Sequence, residues 1–90
     1  MNIKYIIKRY ELIGEPPTRR VVGIQLECDE NERKEYVETV IPLEECNDKS
    51  EYEICKIAYK NLKVQLDKLK ESIESYAPML GSEFVPEDDV

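Results

Sequence analysis

This 90-residue chain contains no histidine, which removes the commonest general base near neutral pH and the commonest metal ligand. A Cys-His nucleophile pair is therefore impossible. The three cysteines, Cys28, Cys46 and Cys55, stand 18 and 9 residues apart and fit no zinc module. A low-pKa thiol needs a basic setting, and Glu44 and Glu45 directly precede Cys46. Carboxylates fall into two groups: Asp29, Glu30 and Glu32, then Glu44, Glu45 and Asp48. Neither has the spacing or the central glycine of a calcium loop, so both read as solvated acidic surface open to a basic protein partner. Arg19 and Arg20 are candidates for contact with an anion, although charge that protects a sheet edge is the plainer role for them. The three glycines form no phosphate-binding pattern. No catalytic residue, metal or cofactor is expected, and the chain does not read as an enzyme.

The elements that carry these residues follow from the hydrophobic periodicity. Ile3 to Ile13 alternates like a strand, but the apolar phase passes from odd to even numbers along it, which a β-bulge near Lys8 and Arg9 would repair, as would partial cover of both faces. Gly14, Pro16 and Pro17 make the next stretch a loop. Residues 20–28 form the clearest strand, with Val22, Ile24, Leu26 and Cys28 on the core face and Gly23 opposite, where it permits close backbone approach or marks a bulge. After the polar turn DENERK, residues 35–43 return as a third strand, antiparallel to the second, and Pro42 ends the pairing. Ser50 and Glu53 form a capping-box pattern opening a helix over 50–76, with Asp48 and Glu51 as an alternative frame, and Pro78 stops it. The expected fold is α+β: a three-stranded antiparallel β-meander packed on one long C-terminal α-helix (β-β-β-α). A single domain covers 1–77, and 78–90 reads as an acidic tail, partly mobile.

The helix carries the loudest signal. Tyr52, Cys55, Tyr59, Leu62, Leu66, Leu69, Ile73 and Tyr76 recur at alternating steps of three and four, the rhythm of a seam facing a partner helix. Ile54, Ile57, Ala58 and Val64 add apolar residues off that seam in the first half, so one face is expected to cover the chain's own sheet. The remainder, with an overhang past the sheet, is expected to meet a second copy. Lys56, Lys63 and Lys70 favour an antiparallel pairing.

The net charge of −7 is unevenly placed. Residues 1–28 hold five bases against three acids, 29–49 eight acids against three bases, and 78–90 four acids and no base. Direct nucleic-acid binding is disfavoured, because phosphate neutralisation needs a broad basic face. The odd cysteine count suits a reducing compartment, and the opening stretch has neither the cleavage site of a signal peptide nor the length of a membrane span, so a cytoplasmic protein is expected. In size, charge and lack of chemistry the profile is similar to that of small acidic accessory proteins of bacteriophages and mobile elements, including inhibitors that occupy the basic nucleic-acid groove of a defence enzyme. The leading reading is a non-catalytic interaction module, a homo-oligomer through the helix that also binds a basic protein. A nucleic-acid mimic, with Asp29 to Asp48 and Glu83 to Asp89 standing in for phosphates, is the second, and a binder of small anions at a dimer cleft the third.

Overall fold

A computed structural model describes residues 2–30 and 32–76, the side chain of Tyr76 excepted; the expected tail at 78–90 lies outside the described residues. Three strands, β1 (Ile3–Ile13), β2 (Arg19–Cys28) and β3 (Lys34–Pro42), form one antiparallel sheet in the order β1-β2-β3, followed by a 3-10 turn at Leu43–Glu45 and the helix α1 (Glu51–Tyr76). This is the β-β-β-α architecture. Strands β2 and β3 each begin one residue earlier than the periodicity placed them. Leu43, expected in the third strand, opens the 3-10 turn instead, because Pro42 before it has no N–H to continue a ladder.

The bulge falls where the phase change requires it. Pairing runs from Ile3↔Cys28 to Ile7↔Ile24, skips Lys8, and resumes at Arg9↔Gly23. Ile3, Tyr5 and Ile7 therefore share the core face with Tyr10 and Leu12, while Ile6 and Ile13 fall on the other face. At Gly14, φ is +107°, and the Thr18 amide closes the turn on the Ile13 carbonyl at 3.0 Å. Gly23 keeps regular pairing. A Cβ there would come within 2.6 Å of the Tyr36 ring, and closer still to its hydroxyl, so the glycine makes room for the tyrosine on the open face of the sheet.

Ser50 caps the helix, its Oγ accepting from the Glu53 amide at 3.2 Å and donating to Glu53 Oε1 at 3.2 Å. The Glu53 carboxylate thus takes the serine hydroxyl rather than the serine amide of the full capping box. Against the sheet α1 buries Ile54, Ala58, Leu62, Leu66 and Ile73, which close over Val22, Ile24, Leu26, Cys28 and Ile41. Burial of each Leu or Ile contributes about 1.5–3 kcal/mol, so this single layer carries most of the fold. The overhang expected from shorter strands shrinks: β1, β2 and β3 have 11, 10 and 9 residues. They therefore span about 30–37 Å against about 39 Å for α1.

Candidate interaction surface

Helix α1 packs across β2 and β3 rather than centrally, which leaves the core-facing side of β1 under-covered. Tyr5 is 40%, Ile7 43% and Leu12 50% exposed on that strand, while Tyr52 at 73% and Tyr59 at 37% flank them on the helix. Between the two elements runs an apolar groove walled by Tyr5, Ile7, Tyr52, Cys55 and Tyr59 with Ile24 at its floor. Tyr5 and Tyr59 meet edge to face with ring centroids 5.7 Å apart, a contact that fixes the groove's width. Lys56 and Lys63 reach over the rings of Tyr52 and Tyr59 at 5.5 and 5.7 Å, giving the apolar strip a basic border.

The eight residues of the expected helical seam separate here. Leu62, Leu66 and Ile73 are buried in the chain's own core, and Leu69 is half-buried against it. Cys55 is half-buried in the groove, and Tyr52 and Tyr59 are exposed. Tyr76 falls outside the described side chains. The cause is geometric: on a straight α-helix a seven-residue rhythm drifts about 20° per heptad. One flat neighbour can then hold only part of such a seam. The sheet takes its second half and replaces the first with Ile54 and Ala58, whose small side chain permits close approach. The early tyrosines are turned toward β1.

Arg19 and Arg20 do not converge. Successive residues of β2 point to opposite faces; Arg19 is exposed on the open face, whereas Arg20 lies on the helix-covered face with its guanidinium carbon 4.1 Å from the Tyr10 ring centroid. Among the described residues Arg20 Nε is buried without an acceptor. Burial pushes the Tyr10 phenol up, opposed by Arg20 and helped by Glu51, Cys55 and Cys46, so these groups cluster at the start of α1. Burial likewise raises the Cys55 thiol, with Glu51 adding to the rise and Arg20 opposing it.

The acidic residues also divide. Asp29, Glu30 and Glu32 sit in the β2–β3 turn, while Glu44, Glu45 and Asp48 lie beyond the far end of β3, about 30 Å away by strand rise. Asp29 is paired with Lys4 Nζ at 3.2 Å. Glu30 accepts the Asn2 amide at 3.0 Å and the Cys28 thiol at 3.3 Å, which hold its carboxyl below the ordinary value. Two of the first three therefore fasten β1 to the turn. On the open face of the sheet, which the sequence did not single out, Glu38 Oε2 accepts from Arg9 Nη1 at 2.8 Å and from the Tyr36 hydroxyl at 2.9 Å, and Arg9 Nε binds Glu11 at 2.9 Å. Cross-strand pairing of positions 9, 23 and 38 was the signal that would have found it. Among the described residues no group of three His, Cys, Asp or Glu is disposed to hold a metal, and no helix is long and apolar enough to cross a membrane.

Comparison with known protein families, with characterised proteins and with solved structures found no match.

Proposed function

We propose that the protein is a non-catalytic interaction module that self-associates through the side where α1 meets β1. One observation carries this reading: Tyr5, Ile7, Tyr52 and Tyr59 are exposed around one apolar groove, with Leu12 exposed further along the same face of β1. Tyrosine is the residue suited to such a place, with a large apolar body and a polar tip. Extension of the sheet past β1 is disfavoured, because the Lys8 bulge interrupts the free ladder edge; the partner lies across the face of the groove. A nucleic-acid mimic needs carboxylates strung along one face, and the two acidic groups stand at opposite ends of β3. Each end remains available to a basic protein without making one phosphate-like row. Sedimentation velocity from low to high micromolar concentration tests the reading. A monomer–dimer shift is expected, and a strictly monomeric species throughout would contradict it.

A further inference from the structure

We infer that the groove between β1 and α1 is filled by the acidic segment 83–90 of the second copy, an inference that rests on self-association through this side. Two depressions adjoin there. The first is the apolar groove; the second is a dimple on the outward side of α1 lined by Lys49, Glu53, Lys56, Ile57 and Lys60, and Lys56 borders both. Among the described residues Lys49, Lys56 and Lys60 have no ion-pair partner, although acids outnumber bases 20 to 13 in the chain. An apolar slot opening onto unpaired lysines calls for an occupant with apolar residues followed closely by carboxylates.

Beyond the helix the sequence supplies such a run. Phe84 and Val85 are followed by Pro86 and then by Glu87, Asp88 and Asp89. With Phe84 in the groove, an extended chain carries the three carboxylates about 10–17 Å further on, toward the lysines.

Reach decides between the chain's own segment and its partner's. Tyr59 lies 17 residues before Tyr76, about 26 Å along the helix axis. Phe84 lies eight residues beyond Tyr76, at most about 26–29 Å of taut chain. Within one chain Phe84 reaches only the near edge of the groove, with every intervening residue fully stretched. In an antiparallel pair the partner's α1 ends beside this chain's Tyr52 and Tyr59, and the same segment arrives slack. The charges agree: residues 49–63 carry four lysines against two glutamates, and 83–90 carry four acids and no base.

Carbodiimide cross-linking of the intact chain, in an equilibrated equal mixture of 14N- and 15N-labelled copies, tests this. The reagent joins a lysine amine to a touching carboxylate as an amide. Links from Lys56 or Lys60 to Glu87, Asp88 or Asp89 are expected, with mixed light–heavy pairs as abundant as the two unmixed kinds together, and several-fold fewer links at molar salt. Links confined to unmixed pairs, or absent from these lysines, overturn the inference. If the protein sediments as a dimer while those links are missing, the inference falls and the self-association stands; a monomer removes both.

Discussion

Gly23 shows what a single position contributes. The sequence marks it for close approach or a bulge, and the structure chooses the approach: the Tyr36 ring lies over the glycine and its hydroxyl reaches Glu38 at 2.9 Å. Gly23→Ala must displace the ring and that hydrogen bond, so it should destabilise the fold by about 1 kcal/mol. In a Tyr36→Ala background the same change should turn stabilising by about 0.5 kcal/mol, because alanine then reduces only the freedom of the unfolded chain. Urea unfolding of the four species checks the reversal of sign. The neighbouring Glu38 has its pKa lowered first by Arg9 and then by Tyr36. A depressed carboxylate contributes stability that is present above its ordinary value of 4.5 and lost as pH falls through its lower folded value. Between neutrality and pH 5 the urea midpoints of the intact chain and of Glu38→Gln should therefore run parallel. Below that, the intact chain should lose stability more steeply.

At the scale of elements, what was legible depends on whether the information is local. The Lys8 bulge, the Gly14 turn and the Ser50 cap are written in neighbouring residues, and each appears where those residues put it. The rotation of α1 is not local. Both Tyr52/Tyr59 and Ile54/Ala58 are helical stripes, and only the position of the helix over β2 and β3 decides which is buried. That choice also separates apolar residues that lie close together along the helix. Leu66 is fully buried, whereas Val64, two positions away, is exposed. Leu66→Ala should cost about 2–5 kcal/mol by the transfer and cavity terms, while Val64→Ala should stay within about 0.5 kcal/mol, as read from denaturant midpoints.

For the whole molecule, the fold follows from hydrophobic period and turn chemistry, but the candidate surface follows from a mismatch between parts. One helix covers two strands of three, and β1 keeps Tyr5, Ile7 and Leu12 partly in water. The sequence indicated apolar surface in excess of one neighbour's needs without locating it. The excess lies beside β1, on the flank of the first half of α1, rather than along the buried Leu62–Leu66–Ile73 line. Val40 is equally exposed, at 50%, on the opposite face of the sheet, and so supplies a control for any charge placed on exposed apolar surface. The most direct measurement is sedimentation equilibrium on the unaltered chain, Ile7→Asp and Val40→Asp, each checked for its folded circular dichroism spectrum. Ile7→Asp should be monomeric where the unaltered chain and Val40→Asp are dimeric; an Ile7→Asp variant that dimerises as tightly as the unaltered chain would contradict the account.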